Sequence, residues 1–241
     1  MAKIILRGNT LLHISQHEKT GRIPVISLEC KHRHDCSVCR ACYASGGRFR
    51  FQTVKNAIKN NNQLAGSDWF TSLSSIPHPY IRMFGVGDFD SAKEPIGLAE
   101  SVAAAAKYRG ANFHLPTKSY LNAELWTKIR AVVGHLCQYA YPEINFEETT
   151  PGLRHIWWDN YFISRRGNVV LDPATKTFNQ LKQEILVSFD QYKKKSRKYR
   201  MTPPSVIFCP HDAKKVKTCE ECLLCYTKAN TIVVYKLKLS R

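Results

Sequence analysis

Hydrophobic and polar positions repeat with two different periods along the first 140 residues. Short apolar runs predict strands at residues 4–15, 24–28, 80–86 and 112–115. Apolar side chains at helical spacing predict helices at residues 51–64, 68–73, 95–108 and 119–133. Strand and helix therefore alternate about every 30 residues, which is typical of βαβ units and predicts a parallel sheet.

The pattern changes after residue 142. Strands are predicted at residues 155–164, 168–171, 205–209 and 231–239, and a helix at residues 178–189. The first of these strands is dense in aromatic residues, namely Trp157, Trp158, Tyr161 and Phe162. Exposed aromatic side chains beside cations stack on nucleic-acid bases, but an aromatic strand is more often core, and we favour core.

The composition indicates a globular chain. Its 241 residues, 44% of them hydrophobic, suffice for one domain with a sizeable core. No apolar stretch approaches the roughly 18 residues needed to span a bilayer. The first 15 residues contain polar and charged side chains and lack the continuous apolar region of a signal peptide. We therefore expect a cytoplasmic protein without a membrane partner.

The nine cysteines are the feature of the sequence that says most about function. Cys137 stands alone at the end of a predicted helix and is expected to be a core residue. The other eight fall in two short windows: Cys30, Cys36, Cys39, Cys42, Cys209, Cys219, Cys222 and Cys225. In a cytosolic chain, clustered cysteines are more often metal ligands than disulfide partners.

Each window contains C-x-x-C-x-x-C and one outlying cysteine. A loop of this spacing turns three thiolates toward one centre, as in the bacterial ferredoxin run. Structural zinc sites more often pair two separate C-x-x-C knuckles, so the spacing favours two [4Fe–4S] clusters, with zinc as the alternative. We predict one α/β domain over residues 1–241, an incomplete (β/α) barrel of mainly parallel strands with cysteine-rich metal-binding loops near both ends. Its core is expected at about residues 1–140, and residues 141–241 carry the second window.

Three polar residues follow predicted strands and are candidates for catalysis. Asp88 and Asp90 come after one strand, at the end where parallel α/β folds place their ligands. Lys118 follows the next strand, where an ammonium group suits an anion. The alternatives are that the two aspartates cap the following loop and helix, and that Lys118 is an ordinary surface lysine.

The net charge of +17 suggests a polyanionic partner such as nucleic acid. The densest basic run is the predicted phosphate-contacting segment: Lys193, Lys194, Lys195, Arg197, Lys198 and Arg200. Tyr192 and Tyr199 are predicted to be available for stacking. The alternative is a solvated loop without a partner.

Six segments carry a resemblance over most of the chain: residues 36–50, 54–62, 87–89, 117–119, 209–210 and 219–226. Together they resemble the gene product 88 family, which is found mostly in bacteriophages. The resemblance implies family membership and supplies little mechanism.

A second resemblance concerns the fold. Cys36, Cys39, Cys42 and Tyr43 precede a helix, and Gly87-Asp88 ends a strand. This order is similar to that of radical S-adenosylmethionine enzymes, which carry a three-cysteine loop on a partial barrel. The resemblance implies a cofactor site for S-adenosylmethionine at Tyr43, Gly87 and Asp88. Cys30 is a fourth candidate ligand, and a cluster bound by four cysteines has no open iron for that chemistry.

Two functions remain. The first is an iron–sulfur protein, either a radical or a redox enzyme acting on nucleic acid. The second is a non-enzymatic nucleic-acid-binding protein in which zinc or iron–sulfur centres hold loops together.

Overall fold

The computed structural model describes residues 2–7, 10–16, 18–30, 51–196 and 201–237. The strands are β1 Ala2–Arg7, β2 Thr10–Ser15, β3 Val25–Ile26, β4 Tyr80–Arg82, β5 Asn112–Thr117, β6 Cys137–Ile144, β7 Arg166–Leu171, β8 Ser205–Phe208 and β9 Thr231–Lys236. The helices are α1 Gln52–Asn62, α2 Gly66–Ser75, α3 Pro95–Arg109, α4 Ala123–Val133, α5 Leu153–Ser164, α6 Phe178–Lys195, α7 Cys219–Cys222 and α8 Leu224–Thr227. In this part of the chain, none of the helices is long and apolar enough to cross a bilayer.

The described strands form one open sheet in the order β1-β2-β3-β4-β5-β6-β7-β9-β8. β1, β2 and β3 pair antiparallel, and every pair from β3 onward is parallel. The predicted α/β class with a mainly parallel sheet that does not close is therefore confirmed.

Strands β3 to β7 lie in chain order, and this order places their connecting helices. A right-handed crossover that always steps in the same direction puts each helix on the same face of the sheet. Accordingly α2 packs on α3, and α3 packs on α4. Strand residues that point to this face, such as Ile81, Phe113 and Tyr139, are buried in the hydrophobic core. The opposite face is free of these helices.

The order in which strands are added reverses at one end of the sheet. β8 forms the edge, and the chain then returns to place β9 between β7 and β8. Because this last step runs backward, a right-handed crossover carries its connection, residues 209–230, over the opposite face. Such a reversal in strand order is where open α/β sheets bind their ligands. The second cysteine window lies in this connection.

Two sequence-based predictions were wrong. Residues 155–164 form helix α5 and not a strand. Aromatic residues favour strands, but Leu153, Trp157, Trp158 and Tyr161 recur at helical spacing and are the buried face. The predicted core role of these aromatic residues is confirmed by their burial.

Strand β6 was missed, and Cys137, predicted at a helix end, is its first residue. All but the last residue of β6 are buried, so the alternation that marks a half-exposed strand is absent. Pro142 also argued against a strand in the sequence, because proline cannot donate a hydrogen bond to a neighbouring strand. It lies where the pairing with β7 shifts register, which is a position that tolerates proline. The predicted core position of Cys137 is confirmed, since the residue has 0% exposure.

Two other predicted strands are shorter or divided. Residues 4–15 form two strands, β1 and β2, that pair with each other. β4 ends at Arg82 rather than at residue 86, because Phe84 at φ 53° and Gly87 at φ 80° turn the backbone out of the strand. A side chain at Gly87 would also meet the Leu28 carbonyl oxygen at 2.6 Å.

Candidate metal centre

The four cysteines of the second window line one cavity on the face of the sheet opposite α2, α3 and α4: Cys209, Cys219, Cys222 and Cys225. Cys209 follows the edge strand β8, and its backbone N–H donates to the Val234 carbonyl at 2.8 Å. The other three lie on the single-turn helices α7 and α8. Leu223 joins these helices at φ 49°, so the chain turns sharply between Cys222 and Cys225.

The floor of this cavity comes from alternate residues of the sheet. Arg82 on β4, His114 on β5, and Val233 and Tyr235 on β9 all line it. These positions point away from α2, α3 and α4, because successive side chains of a strand point to opposite faces. The connection over this face thus reaches from the edge strand to the middle of the sheet.

Polar side chains continue this floor beyond the cavity. His114 is buried and its Nε2 lies 2.5 Å from Gln138 Oε1, which also accepts a hydrogen bond from Asn168 Nδ2 at 3.2 Å. Because the amide oxygen accepts, His114 Nε2 carries a proton and donates. Burial, and next the nearby charge of Arg82, lower the pKa of His114 to about 3. His114 is therefore a neutral hydrogen-bond donor.

The N-terminal loop fixes the cysteine segment from the other side. The backbone carbonyl oxygen of Lys19 accepts a hydrogen bond from the Cys219 backbone N–H at 2.7 Å. The Lys19 side chain forms an ion pair with Asp212, with Nζ 3.0 Å from Oδ1. Arg22 forms an ion pair with Glu220 at 2.8 Å. Gly21, at φ 65°, leaves room for that carboxylate, since a Cβ there would lie 2.8 Å from it. Two distant segments of the sequence therefore build one wall.

The cavity disfavours ionised thiols in the absence of a metal. Burial raises the pKa of Cys209 and Cys219, and that of Cys225 to about 11. The charge of Arg82 opposes this effect at Cys219 and Cys225. A metal centre needs the thiolates, so binding would release protons and would bring negative charge beside Arg82 and Lys19.

The sulfur arrangement bears on the kind of centre. Among the residues the structure describes, no three His, Cys, Asp or Glu side chains are arranged to hold a single metal ion. Tetrahedral zinc requires its sulfur ligands about 2.3 Å from one ion. A [4Fe–4S] cluster binds four thiolates through four different irons, so its ligands are spread more widely. The four cysteines share a cavity without forming a ready single-ion site.

The first cysteine window falls mostly outside the described residues. Cys30 is half-buried and follows β3. Cys36, Cys39, Cys42 and the candidate cofactor residue Tyr43 lie among residues 31–50, which the structure does not describe. A metal centre at this window therefore stays a prediction.

Asp88 is held by hydrogen bonds to two loops. Its Oδ1 accepts from the Phe89 backbone N–H at 2.8 Å and from the Thr117 hydroxyl at 2.7 Å. Its Oδ2 accepts from the backbone N–H groups of Lys118 at 2.5 Å and Ser119 at 3.1 Å. Burial raises the pKa of Asp88, and these hydrogen bonds oppose that effect. Four donors leave little capacity for a substrate, and this favours the alternative that Asp88 caps and ties loops.

The other two candidate catalytic residues lie next to the hydrogen bonds that Asp88 accepts. Lys118 contributes its backbone N–H to Asp88, so the segments that the sequence placed after neighbouring strands do meet. Asp90 lies in the short turn Phe89–Ser91 that Asp88 caps, and it accepts from the Ser91 hydroxyl at 3.4 Å. A catalytic role for either residue stays a prediction.

The basic run is described only in its first part. Lys193, Lys194 and Lys195 form the last turn of α6, and Arg197, Lys198, Tyr199 and Arg200 lie outside the described residues. The prediction that Tyr192 is available for stacking was wrong. It is buried at 3% exposure, and its hydroxyl donates to Asp159 at 2.5 Å.

Four of the cavity residues that are not cysteines were not predicted from the sequence: Lys19, Arg82, His114 and Tyr235. Arg82 and His114 carried a usable signal, because each is a polar residue inside a short apolar strand. Lys19 and Tyr235 carried none, since a loop lysine and an alternating strand tyrosine are ordinary.

Comparisons with known proteins give one match. A family model described as "Gene product 88" matches residues 3–228. Neither the curated proteins nor the solved structures gave a match. These comparisons do not support the fold-level similarity to radical S-adenosylmethionine enzymes.

Proposed function

The chain belongs to the gene product 88 family, and we propose that its second cysteine window holds a [4Fe–4S] cluster. The observation that carries the proposal is the shared cavity, which gathers all four cysteines of the window although they span 17 residues of sequence. Thiols brought together from α7, α8 and the end of β8 match the four ligands that such a cluster requires.

The surroundings of the cavity support a negatively charged centre. Four thiolates and a [4Fe–4S] core carry net negative charge, which Arg82 in the cavity floor offsets, together with Lys19 in its pair with Asp212. The C-x-x-C-x-x-C spacing of the window favours the cluster over zinc. When bound, the cluster supplies one-electron transfer, and the protein's own residues shield it from water and balance its charge.

The proposal extends to the first window by its spacing. Cys30, Cys36, Cys39 and Cys42 repeat the C-x-x-C-x-x-C pattern with one outlying cysteine. We propose a second cluster there, which makes the protein a two-cluster redox protein. S-adenosylmethionine is a candidate cofactor only if one iron of this first cluster is free of a cysteine ligand.

Metal analysis of anaerobically purified protein tests the proposal. The expected content is about eight irons and eight sulfides per chain, with visible absorbance from the clusters. Cys222→Ala should lower both contents to about four, because only the second centre is lost. Cys137→Ala is the matched control, since this cysteine lies in β6 outside the cavity, and it should leave both contents unchanged. Two zincs per chain without sulfide would refute the proposal.

We also propose that the end of α6 contacts nucleic acid. Lys194 and Lys195 are exposed and adjacent there, in a protein of net charge +17. Their charges also suit the negative end of the helix dipole, so their position alone does not require a ligand.

Salt dependence separates these two roles. If both lysines contact phosphates of duplex DNA, replacing them by Ala should flatten the log–log salt slope of binding by about 1.8. Lys128→Ala is the control, because Lys128 is exposed on α4 and pairs with Glu124 instead. An unchanged slope in the double variant would leave the two lysines with only the helix-dipole role.

A further inference from the structure

One hydrogen bond in the cavity reaches a candidate ligand sulfur. The Tyr235 hydroxyl lies 3.0 Å from Cys225 Sγ. Tyr235 stands on β9 with its side chain toward the cysteine segment, and the Lys19 ammonium lies 5.2 Å from the centre of its ring. The sulfur thus has both a hydroxyl and a cation close to it.

Binding of iron decides which atom donates. A free thiol could donate to the tyrosine oxygen, but a thiolate bound to iron has no proton left to give. The Tyr235 hydroxyl must then donate to the sulfur. A tyrosine hydroxyl has an ordinary pKa of about 10, so the proton stays on the oxygen at neutral pH.

A hydrogen bond to a cluster sulfur acts on the two oxidation states unequally. Reduction adds one electron, which increases the negative charge on the sulfurs and strengthens every hydrogen bond and cation contact to them. A contact that is stronger in the reduced state raises the reduction potential.

We propose that Tyr235 is a positioning residue that makes the second centre an electron acceptor, by donating a hydrogen bond to the Cys225 sulfur beside the cations Lys19 and Arg82. This inference rests on the proposed function, because it requires the cluster. The electron comes from a one-electron carrier of low potential, the cluster is reduced by one electron, and Tyr235 keeps its proton throughout.

The cavity contains a matched control for this hydroxyl. Tyr226 lines the same cavity, directly after Cys225, and is buried at 2% exposure. Its ring packs against those of Tyr80 and His114, with centroids 5.4 Å away in both cases. Within the described residues its hydroxyl has no hydrogen-bond partner. Tyr226→Phe therefore removes a cavity hydroxyl without removing a bond to sulfur.

Anaerobic redox titration with dithionite, followed by electron paramagnetic resonance, tests the inference on the full chain. Tyr235→Phe should keep the iron and sulfide content and shift one reduction step to a more negative potential. A charge-assisted hydrogen bond contributes about 1.5–3 kcal/mol. If reduction strengthens this hydrogen bond by half of its contribution, the ratio of reduced to oxidised cluster in Tyr235→Phe, measured at the wild-type midpoint, falls roughly 3- to 12-fold. Tyr226→Phe should leave both steps in place.

The outcomes distinguish the inference from the proposed function. Wild-type protein without iron and sulfide refutes both. A loaded Tyr235→Phe variant with wild-type midpoints, or equal shifts in the two tyrosine variants, overturns the inference alone. If Tyr235→Phe does not retain its cluster, Arg82→Gln takes its place, because it removes a cation from the cavity wall. A negative shift there supports the electron-acceptor assignment, and an unchanged midpoint overturns it.

Discussion

Replacing Asp88 by Asn tests whether this carboxylate is structural. The substitution keeps the size and one acceptor oxygen, which can still accept from Phe89 N–H and the Thr117 hydroxyl. The other oxygen becomes an NH₂ group, which points its own hydrogens at the backbone N–H groups of Lys118 and Ser119. The Lys118 N–H loses its acceptor, whereas the Ser119 N–H keeps the Thr117 hydroxyl oxygen at 3.0 Å.

The magnitude follows from the number of donors. A donor left without a partner costs about 1–3 kcal/mol, and one donor is lost, so Asp88→Asn should lower the free energy of unfolding by about 1–3 kcal/mol. If the amide flips, the Phe89 N–H is left without an acceptor in place of the Lys118 N–H, and the expected loss is the same. The tie between the loops after β4 and β5 would be weakened in either case.

Urea denaturation followed by tryptophan fluorescence measures this loss, because the four tryptophans of the chain are buried. Asp90→Asn is the matched control, since Asp90 is only partly buried and adjacent in sequence. It should change the free energy of unfolding by less than about 1 kcal/mol. A loss of less than about 0.5 kcal/mol in Asp88→Asn would show that the hydrogen bonds to Asp88 do not hold these loops together.

Three further predictions concern other parts of the fold. Gly87→Ala should destabilise the protein by more than about 2 kcal/mol in urea denaturation, since Gly87 has φ 80° and its Cβ would lie 2.6 Å from the Leu28 oxygen; wild-type stability would contradict this. The folded pKa of His114, about 3, lies below its ordinary 6.5, so its contribution to stability is complete above pH 6.5 and lost as the pH falls toward 3. Between pH 8 and pH 5, wild type should lose about 2 kcal/mol more than His114→Asn, and equal losses would count against a buried neutral ring. Cys222→Ala should lower the anaerobic melting temperature by about 4–8 °C if the second centre contributes at least about 2 kcal/mol to folding, whereas an unchanged melting temperature would make the centre dispensable for the fold.

Local patterns in the sequence determined much of the architecture. Helical spacing and Pro95, at the first turn of α3, placed that helix, and Gly110 at φ 64° ends it as expected. The alternation of strand and helix determined the parallel sheet, because two adjacent parallel strands need a crossover between them. The spacing of the cysteines determined the candidate metal ligands, since C-x-x-C-x-x-C is a local feature of a loop.

Local patterns failed where burial is complete. β6 is buried on both faces and α5 is rich in residues that favour strands, so neither shows its true period as clearly as a half-exposed element does. Both elements are held by contacts distant in sequence, such as the hydrogen bond from Trp157 Nε1 to the Tyr139 carbonyl at 3.0 Å.

The tertiary structure alone decided the composition of the cavity. The face on which the second cysteine window lies follows from the backward step from β8 to β9, and strand order is a property of the whole sheet. That step places Cys225 Sγ within hydrogen-bond distance of the Tyr235 hydroxyl. It also puts Cys225 in the same cavity as Arg82, a residue 143 positions earlier in the chain. No sequence period encodes such a meeting, because it depends on how strands order themselves in space and on which face each side chain points to.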